Sequence, residues 1–502
     1  MDVFSSLWLG FGVALQPTNL LFCFAGVFIG TLIGVLPGIG PVAAMSLLLP
    51  ITFNITPEAG IIMLAGIYYG SMYGGSTTSI LVNIPGEAAS VITCLDGYQM
   101  ARQGRAGPAL GMAAMGSFIA GTAAVLGLML LAPTMAAFAV KFGPSEYFSL
   151  MVLGLTILVW LSQGSVIKAL IMACLGLVLG LIGIDSISAL PRMTFDQLQL
   201  LDGLGLVPIV MGLFGIAEIL NNIEQKLDRD VFQAKVDGLM PTKEDWQRSA
   251  GPIARGTVLG FFLGILPGGG AVISSFLSYA MEKRLSKTPE RFGHGAIEGV
   301  AGPESANNAA AGAGFIPLLT LGIPPNVVMA LLLGAFIVHG VQPGPLLMVQ
   351  QPQLFWGIVA SMYIGNVMLL VLNMPLIGIW VQLLKVPYKI LFPMILLFCL
   401  IGAYSVSNQI FDVYLMLGFG ILGWLMKKYG YEPAPLVLAF VLGPMLENNL
   451  RKSLIISEGS LLTFVQRPIS AVCLALAVVL LVGPLLPSLR KKREMVALDE
   501  GA

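Results

Sequence analysis

Apolar residues so dominate this chain that its polar positions carry most of the information. Apolar windows occur near residues 109–132, 146–163, 166–184, 204–222, 354–374, 389–405, 411–426 and 468–487. A helix needs about 20 such residues to cross a hydrocarbon core, and shorter Gly- and Pro-interrupted runs lie between these windows, so the pattern predicts ten to twelve spans. One interruption occurs twice, 230 residues apart: residues 30–40 read GTLIGVLPGIG and residues 260–270 read GFFLGILPGGG. In each, a helical run is halted by Pro-Gly-x-Gly and then resumes. Inside a membrane the freed backbone groups find no water, so such a break survives only where protein or a wet cavity satisfies them. A matched pair of breaks in two halves points to a transporter's binding site.

Composition agrees with a membrane-embedded chain. Of 502 residues, 57% are apolar and 10% charged, and the mean hydropathy is +0.89, beyond the range of ordinary soluble domains. A formal net charge of zero and only two histidines, His294 and His339, argue against a nucleic-acid surface or a histidine-built metal centre. The five cysteines are scattered singly, with no disulfide framework or CxxC motif. No cofactor is expected. Arg102 is the first basic residue, so no signal peptide is expected and the N-terminus is predicted to face outward.

Positive charge should mark cytoplasmic loops. It clusters at Lys226, Arg229, Lys235, Lys243, Arg248 and Arg255, again at Lys283, Arg284, Lys287 and Arg291, and finally at Arg490, Lys491, Lys492 and Arg493. The resulting division is an N-terminal transmembrane repeat over 1–225, a cytoplasmic basic linker over 226–254, and a C-terminal repeat over 255–502 ending in a cytoplasmic tail. After the first break, residues 54–60 carry no Lys or Arg, whereas the matching region after the second carries four. The bias then reverses: Arg102 and Arg105 precede Gly107-Pro108, but the stretch before Gly344-Pro345 has no Lys or Arg. The same motif is thus predicted on opposite sides of the membrane, the signature of an inverted-topology repeat. Residues 20–53 and 256–282 become opposed re-entrant hairpins. Arg451, Lys452 and Arg467 fit this scheme poorly.

Two polar, small-residue stretches are the candidate chemistry. The first is Gly74-Gly75-Ser76-Thr77-Thr78-Ser79 followed by Asn83-Ile84-Pro85-Gly86-Glu87; the second is Gly302-Pro303-Glu304-Ser305-Ala306-Asn307-Asn308 followed by Ile323-Pro324-Pro325. The Ile-Pro pair recurs at a spacing about nine residues longer than the first block, with the basic loop at 283–291 as the natural insertion. Read as further breaks, these stretches suit a small anion, because N–H groups at helix N-termini favour carboxylate or phosphate. The expected substrate contacts are Gly38, Gly40, Ser76, Thr77, Thr78, Asn83, Gly268, Gly270, Ser305, Asn307 and Asn308. Glu304 and Asn307 are the expected coupling-ion residues, since an ionisable group at membrane depth is a functional candidate by default. Na⁺ near 303–308 is an open alternative to H⁺, and no other metal site is expected. Glu87 and Asp96 come next, against a cytoplasmic-loop role beside Arg102 and Arg105. Small residues also serve close helix packing, and Ser or Thr hydroxyls bond back to their own helix.

These residues resemble those of TctA, the large permease subunit of the tripartite tricarboxylate transporters. The resemblance rests on LPGIGP at 36–41, YGGSTTSILVNIPGE at 73–87, DGYQMARQGRAGPALG at 96–111, LPGGG at 266–270 and FGHGAIEGVAGPESANNAAAGAGFIPLLTLGIP at 292–324. It implies an inner-membrane permease with a small TctB-like membrane subunit and a periplasmic TctC-like binding protein, importing citrate-like di- or tricarboxylates on an ion gradient. Pro325 stands where a Gly is expected. A stand-alone anion exporter or exchanger, or a membrane-embedded enzyme, are the competing readings; no nucleotide motif or nucleophile elbow favours catalysis.

Overall fold

The computed structural model describes residues 3–36, 40–162, 165–224, 236, 238–268, 270–384 and 388–482. Gly38, Lys226, Arg229, Lys235 and the terminal basic cluster lie outside them, so the structure places neither that expected contact nor the tail. The fold is all-α apart from one two-stranded hairpin.

In chain order the helices are α1 (Val3–Ala14), α2 (Pro17–Val35), α3 (Gly40–Thr52), α4 (Pro57–Val82), α5 (Val91–Arg102), α6 (Ala106–Ala139), α7 (Pro144–Leu161) and α8 (Val166–Gly180). The hairpin β1 (Gly183–Ile184) and β2 (Pro191–Arg192) follows, then α9 (Leu206–Val210), a π-helical turn (Met211–Ile216) and α10 (Ala217–Glu224). After the basic stretch come α11 (Lys243–Ile265), α12 (Gly270–Leu285), α13 (Glu298–Ala313), α14 (Phe315–Leu321), α15 (Val327–Val338), α16 (Leu347–Gln350) and α17 (Pro352–Asn373). The chain finishes with α18 (Ile377–Leu383), α19 (Tyr388–Ser407), α20 (Ile410–Lys428), α21 (Pro433–Ile456), α22 (Thr463–Gln466) and α23 (Pro468–Val482). Among the described residues five helices, α2, α6, α7, α17 and α20, are long and apolar enough to span. The expected span at 166–184 is the 15-residue α8. The 204–222 window is divided by the π-helical turn, and α21 carries Glu447, Asn448, Asn449, Arg451 and Lys452 in its second half.

The chain forms two compact units, Met1–Ala139 with Gly205–Leu425, and Val140–Leu204 with Met426–Ala502. Each draws on chain from both sides of the basic stretch, so compactness in space is a different division from the repeat in sequence.

In the first unit both Pro-Gly-x-Gly blocks lie between helices. The arms that follow them, α3 and α12, have 13 and 16 residues, too short to cross alone. The arms that precede them are seated by glycine. A Cβ at Gly26, Gly30 or Gly34 of α2 would strike the carbonyl oxygen of Met63, Ile67 or Ser71 on α4. A Cβ at Gly256, Gly260 or Gly264 of α11 would strike that of Gly302, Ala306 or Ala310 on α13. The glycines are related by an offset of 230 and their partners by 239, so both helix pairs pack in one register, with the nine-residue difference taken up between them.

The loops expected to share a side also meet. Arg105 pairs with Asp245, and Gln103 donates to the His294 carbonyl at 2.8 Å. At the segments lacking Lys and Arg, a Cβ at Gly60 would meet His339.

In the second unit the arginines that fitted the charge pattern poorly are held by acids. Arg451 Nη1 lies 2.8 Å from both oxygens of Asp185, Arg192 bridges Asp185 at 2.7 Å and Glu447 at 2.9 Å, and Arg467 pairs with Glu146 at 3.1 Å. Arg451, with Ser188 and the Ile187 N–H, holds the Asp185 carboxyl far below the ordinary carboxylate range. A depressed folded-state pKa stabilises fully above the unfolded value, about 4, and that contribution is lost as pH falls below it. The melting-temperature gap between wild type and Asp185→Asn in detergent is therefore expected to be constant near neutrality and to shrink below about pH 4. A gap that widened on acidification would refute this account.

Candidate functional site

The two polar stretches are not breaks, and this corrects the sequence reading. Gly74–Ser79 lies inside α4, which starts at a Thr56 cap, and Gly302–Asn308 lies inside α13. The small residues sit where helices approach closely, and hydroxyls bond back to their own turns: Ser71 donates to Tyr68 O at 2.7 Å, and Ser76 has Met72 O in reach at 3.2 Å. The breaks fall later, at Asn83 (φ 58°) and Gly322 (φ 71°), where left-handed residues end α4 and α14. These two also differ by 239 in number.

Between α4 and α13 lies a buried polar cluster. Glu304, 1% exposed, accepts hydrogen bonds from Ser76 Oγ and Thr93 Oγ1, each at 2.5 Å. One turn on, Asn307 Nδ2 donates to Glu87 Oε1 at 3.3 Å, and Glu87 also accepts from the Ala89 N–H at 2.6 Å. Asn308 Nδ2 donates to Ser117 Oγ of α6 at 2.7 Å and to the Glu304 carbonyl at 3.0 Å. Asn307 Oδ1 and Ser305 Oγ are buried with no hydrogen-bond partner. Among the described residues no Lys, Arg or His pairs with Glu87 or Glu304; Arg255 is engaged by Glu282 and Arg291 lies near Glu298. Beside Ser76 a cavity of about 10 Å³ is lined by Tyr73, Thr77, Ser117 and Asn373 among others. That is space on the scale of a single water, too little for an organic anion.

The remaining expected contacts lie elsewhere. Thr78 donates to the Val35 carbonyl at 2.8 Å, satisfying the end of α2. Asn83 is an exposed helix cap. Gly268 N donates to the Pro325 carbonyl at 2.9 Å, tying the second block to the second Ile-Pro break. Gly40 and Gly270 open α3 and α12, and a Cβ on either would meet nothing within 4 Å. Asp96 is buried, not a partner of Arg102 or Arg105.

One hydrogen bond has a counterpart. Asn307 reaches Glu87, and Asn326 Nδ2 donates to Tyr68 Oη at 3.4 Å. Adding 239 to 68 and 87 gives 307 and 326, so the second contact is the first with the halves exchanged. The Pro325 anomaly follows the same mapping. A Cβ at the equivalent Gly86 would strike the Gly34 carbonyl and lie 2.6 Å from Gly75 Cα, whereas a Cβ at Gly314 would stand an ordinary 3.5 Å from Pro325 Cγ.

Residues 20–438 match the family described as the Tripartite tricarboxylate transporter TctA family. The chain belongs to the TctA family. It is 56% identical over 500 residues, the full length of both chains, to an Agrobacterium vitis protein described as an uncharacterized 52.8 kDa protein in the TAR-I ttuC' 3' region. It is also 58% identical over 241 residues, 48% of this chain and all of the relative, to an Agrobacterium vitis protein from the TAR-II ttuC' 3' region. No solved structure matches.

In this TctA-family chain the motif residues Ser76, Glu87, Glu304, Asn307 and Asn308 converge. Sequence reasoning passed over Thr93 and Ser117. Thr93 lies just ahead of the DGYQ motif, and Ser117 sits in an apolar window where a hydroxyl reads as self-satisfied. Asn366 was also missed; it accepts from Tyr73 Oη at 2.7 Å and donates to Thr122 at 2.9 Å, joining α17 to α4 and α6.

Proposed function

We propose that this chain is the large permease subunit of a binding-protein-dependent secondary transporter that imports di- or tricarboxylates with Na⁺ or H⁺. A TctC-like binding protein delivers the anion and a TctB-like subunit completes the membrane complex, in a bacterial inner membrane with the C-terminus inside. The observation that carries this reading is the exchanged pair of hydrogen bonds, Asn307 with Glu87 and Asn326 with Tyr68. It supports two halves related by a pseudo-two-fold, as alternating access between repeats needs.

The inverted sense of the repeat is supported by the partners of equivalent residues. Gly60 faces His339, near segments poor in basic residues, whereas its equivalent Gly299 faces Asp96, beside the basic loops. Substrate carboxylates are assigned to the N-terminal ends of α3 and α12, where a Cβ on Gly40 or Gly270 would meet nothing within 4 Å and a helix start favours an anion. Ser76, Thr77, Ser305, Asn307 and Asn308 supply neutral donors and acceptors behind them. The cavity beside Ser76 is too small for a di- or tricarboxylate, so substrate reaches these donors only if the halves move.

The test is uptake of labelled citrate, with dicarboxylate competitors, into vesicles carrying the three-component complex under an imposed ion gradient. Accumulation that needs both the gradient and the binding protein is expected. Uptake without the binding protein would favour an exporter or exchanger, and chemical conversion without accumulation would favour an enzyme.

A further inference from the structure

The Glu304 cluster contains a property that distinguishes between coupling ions. Ser76 has one hydroxyl hydrogen and two acceptors in reach, Glu304 Oε2 at 2.5 Å and Met72 O at 3.2 Å. With Glu304 ionised, the hydrogen points to the carboxylate. With Glu304 protonated, Ser76 turns its hydrogen to Met72 O and accepts from the carboxyl instead, because a hydroxyl is both donor and acceptor. Asn307 offers Glu87 the same choice. Its Nδ2 donates to Glu87, while its Oδ1 is buried and unpartnered, so rotation of the amide supplies an acceptor for a protonated Glu87. Each carboxyl therefore has a partner that satisfies either protonation state without rebuilding the helices.

We propose that the co-transported ion is a proton carried by Glu304, with Glu87 as the second carboxyl of the site and Ser76 and Asn307 as its exchangeable partners. This rests on the coupled-transport reading above and commits it to one ion. The titratable and charged groups around Glu304 are consistent with a proton. Tyr73 faces it from α4, Cys94 from α5 and Glu87 from the loop between them. On the α11 and α12 side, Glu282 near Gly302 is neutralised by Arg255, at 2.8 and 2.6 Å. With no cationic side chain on either carboxyl among the described residues, a negative charge there is offset by an arriving proton.

Two measurements test this. Infrared difference spectra of the full chain in lipid vesicles, taken across a pH titration, are expected to show a protonated-carboxyl band that is absent in Glu304→Gln, shifted in Ser76→Ala and restored towards wild type in Ser76→Thr. The band is expected to ignore Na⁺. A spectrum with no Glu304-dependent band, or one abolished by Na⁺, would overturn the proposal. In the reconstituted complex at zero membrane potential, each pH unit of gradient is expected to yield roughly tenfold accumulation per coupled proton without Na⁺; accumulation driven by Na⁺ alone would overturn it. Failure of transport under every gradient would count against carboxylate uptake, and the infrared titration would still decide the proton site.

Discussion

Gly260→Val is expected to abolish the folded chain, or to leave it with a strongly depressed melting temperature, and Gly30→Val is expected to do the same. In each case the new Cβ would point at a backbone carbonyl oxygen, that of Ala306 or Ile67. Backbone atoms in a helix have no rotamer to move to, so relief requires the helices to separate. Separation loosens the neighbouring glycine seats as well, since Gly256 and Gly264 face Gly302 and Ala310 on the same seam. Overpacking a well-packed site costs about 1–3 kcal/mol, more when nothing can yield. The control is Gly12→Val on α1, where a Cβ meets nothing within 4 Å and an effect within about 0.5 kcal/mol is expected. Thermal unfolding in detergent reads both. Because the atom struck is a carbonyl, Ala306→Gly in the Gly260→Val background is expected to give no rescue. Rescue would mean that the Ala306 side chain, not the backbone, sets the separation.

How far the sequence alone could go is clearest at these seams. Gly30, Gly34, Gly260 and Gly264 recur at matching places in the two blocks, so the repeat and the helix ends at 35–40 and 265–270 were legible from residue type. What each glycine touches was not, because its partner is a backbone atom and leaves no trace in side-chain pattern. The reverse error occurred at Gly74–Ser79 and Gly302–Asn308. Polar and small residues inside an apolar run resemble a loop, but here the hydroxyls bond within the helix or across to Glu304, and the helices continue. Glu304 was recognisable as a lone acid at membrane depth. Its donors were half visible: Ser76, 228 residues from Glu304, stood in a conspicuous motif, while Thr93, 211 residues from Glu304, lay outside the motifs. The arginines near 451–467 fitted the charge pattern poorly, and their partners, Asp185 and Glu146, are far away in the chain and cancel charges that a count of Lys and Arg treats as free.

Asp96→Ala is expected to be the most destabilising single side-chain truncation in the first unit. The carboxylate is fully buried and accepts four hydrogen bonds: from Tyr279 Oη at 2.9 Å, and from the N–H groups of Gly293, Gly295 and Ala296 at 2.9, 2.8 and 2.8 Å. Gly293 and Gly295 have φ of 86° and 99°, which aims successive N–H groups into one concavity of the kind that binds anions. Here the anion is the protein's own side chain, and the glycines of the FGHGA segment are explained by that geometry. Ile92, Phe292 and Ala296 pack around Tyr279 beneath it, so water has little access to the donors once the acceptor is gone. Leaving buried donors unpaired costs about 1–3 kcal/mol each. Asp96→Asn keeps one carbonyl oxygen for the three N–H groups and turns its amide towards Tyr279, whose oxygen can accept, so its loss is expected to be smaller than that of alanine. Tyr279→Phe removes one bond to a charged group, about 1.5–3 kcal/mol. The order alanine at 96 worst, with Asn at 96 and Phe at 279 milder, is read by thermal unfolding and by proteolysis of the 286–297 loop. An alanine variant as stable as the asparagine one would show that the loop's own packing, not the Asp96 carboxylate, joins the second half of the chain to α5.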